Sequence, residues 1–216
     1  MKAMILSSGK GERMLPLTKD IPKAMLKVGN VTLLEDKIIK LAEAGIKDII
    51  INTGYLGEYI KDHVGNGSKF GINIIISDEG ELPIGTANGI RKVLDIFKNE
   101  PFIIINADIW SNYLLIDLKN KLHNSESLAH LVLVPKPNYL DGDFNLNTDK
   151  KIVKGTSYVY TGIGVYQPKL FNKYSDEDLG VILHKEENIK VEIYEGLWHD
   201  IGTPGRLDMI RKSIGL

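Results

Sequence analysis

Cysteine is absent from the chain, which removes disulfide frameworks, thiolate nucleophiles and Cys-ligated zinc together and suits a reducing compartment. Net charge is nearly absent as well: 27 Lys and Arg stand against 28 Asp and Glu, a formal charge of −1. Such a chain has no overall field with which to hold a nucleic-acid backbone or an anionic membrane, so any phosphate it binds is bound in a local cleft. Long apolar runs are missing too. Ala3–Leu6, Ile49–Ile51 and Phe102–Ile105 are of strand length, far below the ~20 residues of a membrane-spanning helix. The opening run is also too short for a signal peptide. A cytoplasmic protein with neither nucleic-acid nor membrane partners is expected. The five histidines, His63, His123, His130, His184 and His199, show none of the spacings of a zinc site.

What is present describes one domain spanning residues 1–216. Hydrophobic residues make up 43% of the 216 positions, enough for a chain of this size to bury roughly 70% of its unfolded surface. No internal repeat, low-complexity tract or Pro/Ser linker divides it.

The order of the elements predicts an α/β fold. Ala3–Leu6 is apolar at every position, as in a strand buried on both faces, and runs straight into a glycine loop. Leu33 to Ala44 carries a helical apolar stripe and is followed by Gly45, the residue suited to a helix C-terminus. Asp48–Asn52 reads as a second buried strand. A short helix over Glu58–Val64, a strand over Ile72–Ile76, a helix from Thr86 to Phe97 and a strand over Phe102–Ile105 follow. Alternation of this kind implies a mostly parallel, Rossmann-like sheet with crossover helices. Beyond Asp108, strands near His130–Val134, Lys151–Val153, Tyr158–Tyr166 and Ile189–Tyr194 suggest an extension of the sheet with a small C-terminal substrate lobe. A last helix is expected from Pro204 to Ser213, with proline in its first turn.

Gly9-Lys10-Gly11 directly after the first strand lets backbone N–H groups approach phosphate oxygens without a Cβ in the way, or simply makes a tight turn. It is not a Walker A loop, because no Gly-Lys-Ser/Thr follows. The third glycine of a dinucleotide fingerprint would fall at Met14. Arg13 and Lys23, ten residues apart in proline-pinned loops, are able to close on a triphosphate from two sides. Arg offers a planar fork and Lys a compact charge. Asp108 just follows a buried strand, where open α/β sheets place their ligands.

The string Ser8-Gly9-Lys10-Gly11-Glu12-Arg13-Met14, with Pro16-Leu17-Thr18 and Pro22-Lys23, resembles the opening loop of the sugar-1-phosphate nucleotidyltransferases. The likeness continues in order through Asn52–Leu56, Gly85-Thr86-Ala87, Asn106-Ala107-Asp108, Thr161-Gly162 and Trp198-His199-Asp200-Ile201-Gly202-Thr203. Within that family the chain looks most like the short N-acetylmuramate-1-phosphate uridylyltransferases, whose reaction belongs to cell-wall sugar recycling.

The resemblance implies a glycosyltransferase-A-like fold and the transfer of a nucleotidyl group from a nucleoside triphosphate, UTP by this likeness, to a sugar 1-phosphate. Arg13, Lys23 and Asp108 would be the catalytic set, with Asp108 and Asp200 sharing one Mg2+. Ser8, Gly9, Gly11, Glu81, Gly85 and Thr86 would bind the nucleotide, and Gly142, Asp143, Asn145 and Thr161 the sugar. Thr86 also reads as a plain helix cap. Mannose 1-phosphate with GTP, glucose 1-phosphate with UTP or dTTP, phosphocholine with CTP, or a silent nucleotide-sugar-binding module are the competing readings.

Three departures stand out. Ser7-Ser8 replaces two alanines, Asn106-Ala107-Asp108 replaces Asn-Gly-Asp, and no Glu-Lys-Pro segment supplies a lysine for the sugar phosphate, since Pro135-Lys136-Pro137 comes too early. Without the extra C-terminal segments of longer relatives, a monomer is expected.

Overall fold

In the computed structural model, which describes residues 1–123 and 125–215, the first apolar segment forms β1 (Ala3–Leu6). Ala3 and Ile5 point into one core and Met4 into another, all fully buried. A glycine loop leads to the short antiparallel pair β2 (Lys27–Val28) and β3 (Val31–Thr32), then to α1 (Leu33–Glu43). This helix starts where it does because Thr32 and Glu35 form a capping box. Thr32 Oγ1 accepts from Glu35 N at 3.0 Å and Glu35 Oε2 accepts from Thr32 N at 2.8 Å. Such a cap contributes about 1 kcal/mol. β4 (Asp48–Thr53), α2 (Gly57–Val64) and β5 (Asn73–Asp78) follow.

α3 (Thr86–Arg91) stops short of the Phe97 end expected from its apolar stripe. Val93 leaves the helical region at φ −117°, and Leu94–Phe97 make a 3-10 turn instead. That turn stacks Phe97 on Phe102, with ring centroids 3.7 Å apart. Burial of this aromatic pair outweighs continued α-helical propensity.

β6 (Phe102–Asn106) and β7 (Ile109–Ser111) complete the first half. β5, β4, β1 and β6 lie side by side and parallel, with Ala3 opposite both Ile49 and Ile103. Chain order reverses at β1: β4 and β5 lie on one side of it and β6 on the other. A crevice therefore opens beyond the carboxyl ends of β1 and β6, the place where open α/β sheets hold ligands.

The second half comprises β8 (Ala129–Pro135), β9 (Phe144–Leu146), β10 (Ile152–Lys154), β11 (Tyr158–Tyr166), α4 (Pro168–Lys173), α5 (Leu179–Lys185), β12 (Ile189–Ile193), β13 (Trp198–Asp200) and α6 (Pro204–Ser213). β11 joins β6 antiparallel and carries β8, which carries β12, while β9 and β10 form a hairpin against the start of β11. The sheet, nine strands among the described residues, is thus parallel in its first half and mixed in its second. Its C-terminal half continues the same sheet and adds the hairpin as its small appendage. Helices cover both faces: α1 and α2 pack on the side of Ile5, α3, α4 and α5 on the side of Met4. α6 packs on Met14, Leu26, Val28 and Leu33, clamping the glycine loop to the rest of the molecule. No described helix is long and apolar enough to cross a membrane.

Candidate active site

The crevice at the switch point is a cleft of about 740 Å³, lined by the loop from Leu6 to Met14 and by Lys23, Asn52, Glu79, Gly85, Thr86 and Asp108 among others. Its glycine loop is held by local bonds. Gly11 O accepts from Thr18 Oγ1 at 2.8 Å and from Met14 N at 2.9 Å. Gly11 sits at φ +65°, and a Cβ there would press to 3.0 Å from Lys23 Cβ. A side chain at this position would therefore strain the turn and push the lysine out of place. Arg13 lies in the short turn Glu12–Met14 and lines the same cleft.

The two candidate metal ligands are brought together by a pair of three-residue strands. β7 and β13 are antiparallel with Asp200 opposite Ile109, and Ile201 N donates to Asp108 O at 2.9 Å. Residues some ninety positions apart are thereby made neighbours. Lys23 Nζ lies 2.5 Å from Asp108 Oδ2, and Arg206 Nη1 pairs with Asp200 Oδ2. Burial pushes the Asp200 carboxyl above its usual range, and the nearby negative charge of Asp108 pushes the same way, against Lys23, Arg206 and Arg13. Two hard carboxylates side by side suit a Mg2+ ion, which takes one or two carboxylates and completes its shell with water and phosphate oxygens. No third Asp, Glu, His or Cys joins them among the described residues, so water and phosphate oxygens would complete the shell of such an ion. Behind this pair, Lys37 is fully buried beside Asp36, 5.5 Å from the Trp110 ring. Burial lowers its pKa to about 8.

On the side away from the cations, Asn52 is the organising residue. Its Oδ1 accepts from Ser7 N at 2.7 Å, and its Nδ2 donates to Ser8 Oγ at 3.1 Å and to Glu79 Oε1 at 2.8 Å. Ser7 Oγ also donates to Asn52 O at 2.5 Å, so the hydroxyls of Ser7 and Ser8 tie the glycine loop to β4. Of the two nearby carboxylates, Glu79 rather than the expected Glu81 lines the cleft. Glu79 N donates to Thr53 O at 2.8 Å, which extends the β4–β5 pairing and carries the carboxylate into the cleft. Glu81 lies two residues further on in an exposed bend and does not line the cleft. Thr86 does line it, yet it is not a cap: α3 begins at Gly85 with no side-chain cap, and Thr86 Oγ1 accepts from Leu179 N at 2.8 Å. Gly85, at φ +85°, packs so closely that a Cβ would lie 2.5 Å from Glu177 O.

The expected sugar-binding residues Gly142, Asp143, Asn145 and Thr161 do not line the cleft; their polar atoms build structure instead. Asp143 Oδ2 accepts from Tyr160 N at 2.8 Å, and Asn145 Oδ1 accepts from Thr156 N at 3.1 Å and Ser157 N at 2.9 Å. Gly142 turns at φ +81° against Thr156 O. Thr161 is fully buried, donates to Val132 O at 2.7 Å and accepts from Ile163 N at 3.1 Å, holding the irregularity where β11 slips against β8. Its carbonyl accepts from Trp198 Nε1 at 2.9 Å, which steadies β13 and hence Asp200.

Sequence reasoning missed Asn52, Glu79, Tyr139 and Arg206. For the first two a signal existed, since each is a polar residue at or just beyond the carboxyl end of a parallel strand. Tyr139 and Arg206 carried none, because only the tertiary fold pairs Arg206 with Asp200 and brings its guanidinium carbon 5.0 Å from the Tyr139 ring centre.

A glycine loop with two cations and a carboxylate in one cleft, a second carboxylate beside the first, at the switch point of an α/β sheet defines an enzyme that handles nucleotide phosphates. The Nucleotidyl transferase family model matches residues 2–144, and the chain belongs to that family; it is a nucleotidyltransferase. The N-acetylmuramate alpha-1-phosphate uridylyltransferase of Neisseria meningitidis serogroup B is 35% identical, with 96% of this chain and 95% of that protein covered. The mannose-1-phosphate guanyltransferase of Neurospora crassa is 28% identical over 94% of this chain, which spans only 61% of that protein's length. The crystal structure of a Bacillus anthracis protein described as a glucose-1-phosphate thymidylyltransferase superposes with a TM-score of 0.89 at 23% identity, covering 99% of this chain and 94% of the other.

Proposed function

We propose that this chain transfers a uridylyl group from UTP to N-acetylmuramate 1-phosphate, releasing pyrophosphate, in the cytoplasmic recycling of cell-wall sugars. The observation that carries the chemistry is the meeting of Lys23 with Asp108, 2.5 Å apart, in the cleft that also holds Arg13 and the glycine loop. The uridylyltransferase likeness over nearly the full length of both chains supports the choice of substrates.

A phosphate oxygen of the sugar 1-phosphate attacks the α-phosphorus. A new P–O bond forms, the bond from the α-phosphorus to the bridging oxygen breaks, and its electron pair leaves with pyrophosphate. The attacking phosphate is already ionised at neutral pH, so the chain needs no general base. Its work is alignment and neutralisation of two mutually repelling anions. The backbone N–H groups of the glycine loop cradle the triphosphate, Lys23 turns from Asp108 to the α-phosphate, and Arg13 takes charge developing on the departing pyrophosphate. Glu79, held in place by Asn52, presents a carboxylate to the base end of the cleft. Asp108 and Asp200 would hold Mg2+, which when bound supplies positive charge to the phosphate oxygens.

Pyrophosphate release measured across a grid of nucleoside triphosphates and sugar 1-phosphates tests the reading. Turnover concentrated on UTP with N-acetylmuramate 1-phosphate is expected. Preference for GTP with mannose 1-phosphate would replace the substrates and keep the reaction. Nucleotide binding without turnover for any pair would make the protein a binding module.

A further inference from the structure

Joining two anions calls for a cation on each side of the reacting phosphorus, and Arg13 and Lys23 both belong to the nucleotide cleft. The acceptor side has a different candidate. Arg206 stands in the first turn of α6, whose start is fixed by Pro204 and by Thr203 capping Arg206 N. Its side chain is 16% exposed, pairs with Asp200 and lies against Gly202, which lines the cleft. The guanidinium carbon lies 5.0 Å from the centre of the Tyr139 ring. Tyr139 Oη is in turn 3.5 Å from His199 Nδ1. The corner is tightly built: a Cβ on Gly202 would lie 3.0 Å from both Arg206 Nη1 and Asp200 Oδ2.

The bonding of this arginine is incomplete. A guanidinium carries five N–H donors in a fork shaped for two oxygens of one phosphate or carboxylate. Among the described residues the Arg206 side chain donates only to Asp200, although most of its surface is covered. A mostly buried fork with one acceptor, stacked on an aromatic platform and beside a carboxylate suited to a divalent cation, is poised to exchange partners.

Resting on the nucleotidyl-transfer reading, we infer that Arg206 is the anion receptor for the acceptor sugar, with Tyr139 as its positioning residue. Without ligands Arg206 serves as counter-ion to Asp200. In the loaded enzyme Arg206 gives Asp200 over to the divalent cation and turns its fork, still stacked on Tyr139, to an oxyanion of the acceptor. That oxyanion is either the 1-phosphate or a carboxylate substituent on the ring. The site therefore contains two carboxylates each paired with its own cation, Asp108 with Lys23 on the nucleotide side and Asp200 with Arg206 on the acceptor side.

Steady-state kinetics of Arg206→Gln and Arg206→Lys test this, with UTP saturating and the acceptor varied, then the reverse. Charged hydrogen bonds of this kind correspond to a rise in acceptor KM on the order of 10- to 100-fold for Arg206→Gln, with UTP KM unchanged within about twofold and partial recovery in Arg206→Lys. N-acetylglucosamine 1-phosphate, which lacks the whole 3-O-lactyl group and with it the carboxylate, identifies the oxyanion. Equal losses for it and N-acetylmuramate 1-phosphate assign the fork to the phosphate, and a loss confined to the latter assigns it to the carboxylate. Tyr139→Leu, at a partly exposed position, should raise the same KM by a smaller factor and covers the case in which the arginine variants fail to fold. An unchanged acceptor KM, or a UTP KM that rises as much, overturns the assignment. A second measurement needs no turnover. Mn2+ binding to the nucleotide-free protein, followed by electron paramagnetic resonance, should tighten in Arg206→Gln because Asp200 loses its competing cation; unchanged or weaker binding overturns the counter-ion role. If the wild type turns over no substrate pair, the proposed reaction fails while this metal titration still judges Arg206.

Discussion

Ser8, Asn52 and Glu79 in the first half of the molecule and Asp143, Asn145 and Thr161 in the second are similar residues put to opposite uses. Asn52, its Oδ1 taken up by Ser7 N, ties Ser8 and Glu79 together at the carboxyl ends of parallel strands, and these two turn side-chain oxygens to the cleft. The other three direct their oxygens to backbone N–H groups or, for Thr161, also to a backbone carbonyl, and so shape the β9–β10 hairpin and the slip in β11. Parallel strands end together at one edge of the sheet, and their last polar residues have no ladder partner to satisfy there. Hairpins and bulges instead leave backbone groups unpaired, and nearby Asp, Asn and Thr side chains take them up. A polar loop residue in a mixed sheet is thus available to a ligand only when the backbone has not already claimed it.

The sharpest way to break this contrast lies in the site itself. Asp108→Asn should keep the fold and lower turnover by on the order of 100-fold or more, as for other preorganised electrostatic groups. Lys23→Ala should follow it in direction. Pyrophosphate release alongside a circular-dichroism melt reads both, and near wild-type turnover would remove the residue from the reaction.

Thr161→Val should have the reverse profile. Loss of the bond to Val132 O and of the acceptor for Ile163 N should cost about 1–3 kcal/mol, read as a lower urea midpoint, while nucleotide KM stays put. An intact midpoint would mean that the hydroxyl does not hold the sheet. Between these extremes, Glu79→Ala should raise nucleotide KM by roughly tenfold, whereas Glu81→Ala should change it less than about twofold. Equal effects would return the base-side carboxylate to Glu81.

The smallest effect concerns Glu192 on β12. Burial pushes its carboxyl up, but the His130 imidazole 3.4 Å away and hydrogen bonds from Lys121 and Tyr113 outweigh this and hold it at about 2, against 4.5 for a free glutamate. A folded-state value below the unfolded one gives stability that is present above pH 4.5 and lost as pH falls toward 2. Urea midpoints from pH 6 to pH 2.5 should therefore fall less steeply for Glu192→Gln than for wild type; parallel curves would disprove the contribution.

Much of the frame was legible because its signals are local. Tyr158–Tyr166 is found as a strand and Pro204–Ser213 as a helix with the expected ends. Leu33–Glu43 carries its stripe and its cap in its own sequence. The break after Arg91 was hidden, since it depends on the ring of Phe102 in strand β6. β7 and β13 were hidden for another reason: three residues are too few to show a period, and their pairing spans about ninety positions. Asp200 was reached through family likeness, and Arg206 was not reached at all.

By itself the sequence determined the alternation of strands and helices, the glycine loop at the end of β1 and the cations that follow it, because each rests on neighbours within a few residues. Tertiary structure alone decided which polar side chains remain free to meet a ligand. It set Asp200 against Asp108, put Glu79 in the cleft in place of Glu81 and laid Arg206 on Tyr139. Availability depends on whether some distant backbone group has already taken a side chain's hydrogen bonds, and that is fixed only when distant segments pack together.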